Sequence, residues 1–290
     1  MGSQPQRVIV TRPAHDAAHW VDELTKSGFE AAALPLIEIG PASGQFNTHA
    51  LGDAWQHLGD YAACMFVSGN AVAYFFKQNR AAEHENIAQL AINNIAIKDL
   101  ETIPVSLRFL APGPATAAAL LAAGVPAGQI DSPPLGAGQF DSEALWHVVG
   151  QRIWQDTRVL VVCGQTSNAA QPAAAGRDWL AQQLRAAGAQ VDALTVYQRR
   201  VPQLTPTQLE LAQAASQDGS VWLFSSSEAL ANLLKQPGLA AVNWGKARAV
   251  ATHPRIAQAV RAAHWGVVQE SRPLLADITG ALRSIESGAP

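Results

Sequence analysis

Apolar residues along this chain recur in two alternating patterns. Short unbroken runs such as "RVIV" (7–10), "YAACMFV" (61–67) and "RVLVVC" (158–163) are each followed by a longer stretch with helical spacing. "RVIVTRP" is stopped by Pro13 and leads into "HDAAHWVDELTKSG", where Ala17, Trp20, Val21 and Leu24 fall at i, i+3, i+4 and i+7. Gly28 then stands where such a helix ends. "AAALPLIEI" (31–39) reads as a strand with an internal proline, which belongs at an edge or outside a sheet interior. A last helix is expected within 272–285 and a helix with a loop over 80–106, while 133–138 and 169–175 have loop composition.

Several of these units occur twice. "FVSGNAVAYFFK" (66–77) has a near twin in "FSSSEALANLLK" (224–235) at a constant offset of 224 − 66 = 158. Ala71, Val72, Phe75 and Phe76 form one apolar stripe, and Ala229, Leu230, Leu233 and Leu234 form its copy. "LRFLAPGPATAAALLAAGV" (107–125) and "ARAVATHPRIAQAVRAAHWGV" (247–267) share the order strand, proline turn, helix. "GRDWLAQQLRAAGAQVDALTVYQRR" (176–200) repeats the helix–glycine–strand order of 19–39, with Gly188 placed 160 residues after Gly28. Alternating strands and helices, duplicated, predict an α/β protein with mainly parallel sheets and two similar lobes. The length of 290 residues fits about two domains.

Composition narrows the chemistry. A net charge of −3 offers no general attraction for nucleic acid or an anionic membrane, so an anionic ligand must be held by local geometry. No apolar run approaches the ~20 residues that span a bilayer. "MGSQPQRVIV" lacks the pattern of a signal peptide, and a cytoplasmic location is expected. The two cysteines, Cys64 and Cys163, lie in or at the end of apolar runs and read as buried thiols. His15 and His19, at i and i+4, lack a third ligand and read as surface residues, so no metal site is expected. The chain also lacks a dinucleotide fingerprint, a Walker loop and a nucleophile elbow.

What remains is a set of polar turns that follow strands: Ser68-Gly69-Asn70, Ser225-Ser226-Ser227, Gly113-Pro114 and His253-Pro254. Serine and asparagine cap helices whatever the function. The same turns at the C-terminal ends of parallel strands also present helix N–H donors to carboxylates or phosphates. Arg12 and Arg255 stand at comparable positions, where bidentate carboxylate recognition or plain solvation are both open. Tyr197 ends an apolar strand as a boundary aromatic whose hydroxyl is expected to be wet.

Taken in order, "VTRP", "PLIEI", "FVSGNAV", "APGPATAAAL", "GRDWLAQQLRAAGAQV", "VYQRR", "FSSSEAL" and "HPRIAQAV" resemble the uroporphyrinogen-III synthase family over nearly the whole chain. The resemblance implies two flavodoxin-like lobes, 1–35 with 202–290 and 44–193, joined by an antiparallel two-stranded linker of 36–43 and 194–201. It implies a monomeric enzyme that needs no cofactor and acts on the polycarboxylate hydroxymethylbilane. Loss of the terminal hydroxyl as water would give an azafulvene cation, and attack through a spiro intermediate would invert one pyrrole ring before closure. Carried over by position, Tyr197 would assist hydroxyl departure. Thr11, Arg12, Ser68, Gly69, Asn70, Ser225, Ser226 and Ser227 would bind substrate, together with Gly113, Thr116, His253 and Arg255. Two departures stand out. The family's late Gly-x-x-Thr turn reads His253-Pro254-Arg255-Ile256, and Cys163 precedes Gly164 where an arginine is common. A two-lobed anion or sugar-acid binder without catalysis is the alternative, and a flavin binder would need a phosphate loop that the chain does not show.

Overall fold

The computed structural model describes residues 6–42, 45–76, 103–166 and 175–288. The helix and loop expected over 80–106 therefore lie, as far as residue 102, outside the described residues, as does nearly all of 169–175. The chain divides into two compact units, Met1–Ile39 with Arg200–Pro290, and Gly40–Arg199.

The first unit is built on a five-stranded parallel sheet of β1 (Arg7–Val10), β2 (Glu30–Ala33), β9 (Val221–Phe224), β10 (Arg248–Ala251) and β11 (Val267–Glu270). Its spatial order is β11-β10-β9-β1-β2. Counted within the unit this is 2-1-3-4-5, a doubly wound order whose switch point falls between β1 and β9. Strand alternation loads both faces. Ile9, Trp222, Phe224, Ala249 and Ala251 face α8 (Ser227–Leu234) and α9 (Pro254–Ala262), with α7 (Pro206–Ala215) at their margin. Val8, Val10, Val221, Leu223 and Val250 face α1 (Ala14–Lys26) and α10 (Leu275–Ser287). Each fully buried large side chain here is worth ~1.5–3 kcal/mol, which is why a chain with so few charges holds a two-faced sheet. Trp222, Trp244, Trp265 and Phe224 pack as one aromatic cluster, with Trp244 and Trp265 stacked at 4.9 Å.

The second unit carries a six-stranded sheet in the order β3-β8-β7-β4-β5-β6. The strands are β3 (Glu38–Pro41), β4 (Ala63–Phe66), β5 (Arg108–Leu110), β6 (Ile130–Asp131), β7 (Arg158–Thr166) and β8 (Gln190–Arg200). Here β7 and β8 take the positions that β1 and β2 hold in the first unit, and β4, β5 and β6 take those of β9, β10 and β11. α5 (Ser142–Val149) and α6 (Ala175–Ala186) cover one face, while α2 (Gln45–Gln56) and α3 (69–76 as described) meet the other. At the outer strands Asp131 is buried between Arg108, which holds it at 2.7 and 2.9 Å, and Arg152 at 2.6 Å.

The sequence repeats correspond to repeated structure. β4 and β9 are fully buried four-residue strands at the 158-residue offset. α4 (Pro114–Ala122) and α9 both begin on proline 140 residues apart (254 − 114), and both are nine residues long. Gly28 and Gly188 both close a helix with positive φ, +92° and +95°. The left-handed residue after α4 is Gly124, and its counterpart after α9 is His264.

Some expectations change. The proposed strand over 31–39 is broken at Leu34–Ile37 around Pro35, giving β2 at the edge of one sheet and β3 at the edge of the other. A proline supplies no ladder N–H, so the chain can leave one sheet there and join the second. Within the segment 194–201, β8 keeps its parallel pairing with β7 as far as Thr166↔Arg199. The apolar stripe of α8 also stops short: Leu234, its last residue, is 39% exposed.

Candidate functional site

In the first unit the expected ligand residues flank the β1/β9 switch point. Thr11 follows β1, yet the residue is only 1% exposed and its hydroxyl donates to the Leu223 carbonyl at 2.7 Å. That side chain ties β1 to β9. Arg12 behaves differently. Its guanidinium lies 4.6 Å from the Trp20 ring centroid, its Nε is buried without a hydrogen-bond partner, and it makes no ion pair among the described residues. Burial lowers its pKa from the ordinary guanidinium value, opposed by nearby Asp16. The group still stays charged at neutral pH. A half-buried guanidinium that makes no ion pair among the described residues, with Asp16 only nearby, gains from the arrival of an anion.

Across the same end of the sheet, Ser225 and Ser226 are half-buried and Ser227 is exposed. Ser226 caps α8, its Oγ accepting from the Glu228 amide at 3.1 Å. His253 caps α9 through Nδ1, which accepts from the Arg255 amide at 3.1 Å, so a ring nitrogen takes over the capping role of a small polar residue. The Arg255 side chain is exposed.

In the second unit Ser68 follows β4. Its Oγ accepts from the Ala71 amide at 3.2 Å and lies 3.1 Å from the Tyr197 hydroxyl. Gly69 and Asn70 form the half-buried first residues of α3. Gly113 caps α4 in an extended conformation, and Thr116 is buried within that helix. Tyr197, at the C-terminal part of β8, is 2% exposed, so its hydroxyl is not the wet boundary group expected. The reason lies in a register shift between β7 and β8. Cys163 pairs with Thr195 and Gly164 with Tyr197, so Val196 is skipped. Such a bulge re-aims the side chain that follows it. Val196 and Tyr197 are consequently buried in succession, against strand alternation.

Tyr197 can then cross the middle strand because Gly164 has no side chain. A Cβ there would collide with the Tyr197 ring, coming within 2.7 Å of Cε1 and closer to Cζ and Cε2. The tyrosine thus reaches from β8 over β7 to the turn after β4, with Tyr74 of α3 stacked on it at 5.8 Å. Tyr74 was not singled out in the sequence, and Gly164 was noted there only as the neighbour of Cys163. A glycine ending an apolar run is a weak signal, and only the strand register pairs it with Tyr197. Among the described residues no group of histidine, cysteine or carboxylate side chains could hold a metal ion, and no helix is long and apolar enough to cross a membrane.

Parallel sheets flanked by helices, with polar caps at helix starts that follow strands, place the chain in the α/β class. The family model described as uroporphyrinogen-III synthase HemD matches residues 18–279, and the chain belongs to that family. A uroporphyrinogen-III synthase of Chlorobaculum parvum is 35% identical over 111 residues, covering 36% of this chain and 41% of that protein. The chain thus aligns with under half the length of this curated relative. A crystal structure of a mutant uroporphyrinogen III synthase from the extremely thermophilic bacterium Thermus thermophilus is similar at a TM-score of 0.55 and 18% identity, over 97% of this chain and 99% of that one. The uroporphyrinogen-III synthetase of Helicobacter pylori gives a TM-score of 0.50 at 14% identity with the same coverage. At such identities the structural likeness concerns the fold.

Proposed function

We propose that this protein is a uroporphyrinogen-III synthase: a cyclising lyase that takes hydroxymethylbilane, removes water, and closes the macrocycle with its terminal ring inverted. The family match across residues 18–279 is the observation that carries this reading. The reaction needs a held substrate shape more than a strong nucleophile, which suits a protein of capped turns with Tyr197 buried beside one of them.

In this account the amides at the starts of α3, α4, α8 and α9, with Asn70, Ser225, Ser227 and Arg255, hold substrate carboxylates. Arg12 gives one carboxylate a charged, bidentate partner. Tyr197 donates its proton as the C–O bond of the terminal hydroxymethyl group breaks, so the hydroxyl leaves as water and an azafulvene cation remains. The far pyrrole then attacks through its substituted α-carbon to give a spiro intermediate. The bond from that carbon to its original methylene breaks, the methylene rejoins the ring at the free α-carbon, and loss of the proton held there completes uroporphyrinogen III. Fixed dipoles support the transient charge without reorganisation. The two units would be the flavodoxin-like lobes of a cytoplasmic monomer, with 36–43 and 194–201 as the connecting segments. Purified protein given freshly made hydroxymethylbilane should raise isomer III well above the spontaneous mixture. Isomer I alone, with no faster loss of substrate, would favour a binding protein without catalysis.

A further inference from the structure

We infer that Ser68 is a positioning residue for Tyr197 rather than a holder of substrate carboxylate. The inference rests on the synthase reading for its kinetic consequence, whereas the contact itself stands on geometry alone. Ser68 Oγ already accepts from the Ala71 amide at the start of α3, and it sits 3.1 Å from the Tyr197 hydroxyl. A serine hydroxyl has one proton and two lone pairs. With one lone pair on the Ala71 N–H, the hydroxyl proton is free to be directed at the tyrosine oxygen.

Three features fix this arrangement. The β7/β8 register shift turns Tyr197 toward β4. Gly164 leaves room for the ring over β7. Tyr74, from the helix that Ser68 caps, stacks against the ring. Cap, stacking partner and hydroxyl contact therefore come from one turn and the helix it starts, so α3 sets both the position and the hydrogen bonding of Tyr197. The twin turn lacks this role in its described contacts: Ser226 caps α8, and the position 160 residues before Tyr197, by the offset that relates Gly188 to Gly28, is Ile37, beyond the end of β2. The two serines that align in sequence thus serve different ends.

The test labels the full-length protein with tyrosine carrying carbon-13 at Cζ. The chain has three tyrosines, and Tyr197→Phe assigns the relevant resonance. Ser68→Ala should shift the Tyr197 resonance and its pH titration, and Ser68→Thr, which keeps the hydroxyl and the cap, should restore both. With hydroxymethylbilane as substrate, Ser68→Ala should lower kcat about threefold to tenfold at unchanged KM, the scale of one neutral hydrogen bond. In a Tyr197→Phe background the same change should cost less than about twofold, because the two hydroxyls act as a unit. An unmoved Tyr197 resonance would overturn the inference. So would a raised KM at constant kcat, which is the mark of a carboxylate holder, or additive losses in the double variant. Failure to cyclise hydroxymethylbilane at all would sink the proposed function, and the resonance would then still decide the Ser68–Tyr197 contact.

Discussion

Gly164→Ala is the sharpest probe of how the tyrosine is held. Gly164 is not among the glycines with positive φ, so alanine meets no backbone penalty there and the perturbation is purely steric. Its Cβ would lie 2.7 Å from Tyr197 Cε1 and nearer still to Cζ and Cε2, where ordinary carbon–carbon contact is ~3.5–4.0 Å. The ring must therefore retreat by roughly 1 Å or more. It cannot do so freely, because Tyr197 is 2% exposed and stacked on Tyr74. Overpacking of this kind costs ~1–3 kcal/mol. A 1 Å movement also stretches the 3.1 Å contact with Ser68 beyond hydrogen-bond range, adding about 1 kcal/mol. The expected loss is thus ~2–4 kcal/mol, read as a lower urea midpoint for the transition that reports this unit, with the closure rate reduced in parallel. Combining Gly164→Ala with Tyr197→Leu should recover much of the stability, since the smaller side chain vacates the space. A Gly164→Ala protein within about 0.5 kcal/mol of the parent and equally active would refute the account of Tyr197 positioning.

Two further outcomes follow from buried groups. Arg12→Met should raise KM by about tenfold to a hundredfold with little loss of stability, because one charge-assisted carboxylate contact disappears while a half-buried charge is relieved; an unchanged KM would remove Arg12 from the site. Cys64 is fully buried and burial drives its thiol pKa upward, so it stays protonated in the folded state while an exposed thiol ionises above about pH 8.5. The unfolded chain then binds fewer protons, and stability present below about pH 8.5 should fall by at most about 1.4 kcal/mol per pH unit above it. Cys64→Val should flatten that slope between about pH 8.5 and about pH 10, measured by urea unfolding, and an identical slope in both proteins would contradict the prediction.

Much of the architecture was written in local pattern. The stripe of α1 is core as its spacing requires, with Ala17 and Leu24 fully buried and Trp20 and Val21 packed against them. Gly28 and Gly188 close their helices in left-handed conformations, and Cys64 and Cys163 are buried thiols. These features depend on neighbours within a few residues, which is why one-dimensional periodicity reveals them. The site was legible only as a set of turns. Thr11 stands where the resemblance puts a ligand residue, and its hydroxyl answers to Leu223, 212 residues away. The Tyr197–Ser68 contact spans 129 residues and needs a strand register that skips Val196. Asp131 and its two arginines carry no shared spacing at all. Contacts set by register and by sheet order have no local signature, so they appear only with the fold.

The most direct measurement supplies freshly prepared hydroxymethylbilane to the purified protein and separates the oxidised products by isomer while following substrate loss. The account predicts predominantly isomer III, formed faster than spontaneous closure. With Tyr197→Phe it predicts a rate lower by about a hundredfold or more while the circular dichroism of the fold is kept. Isomer I at the spontaneous rate, or a Tyr197→Phe protein as fast as the parent, would contradict it.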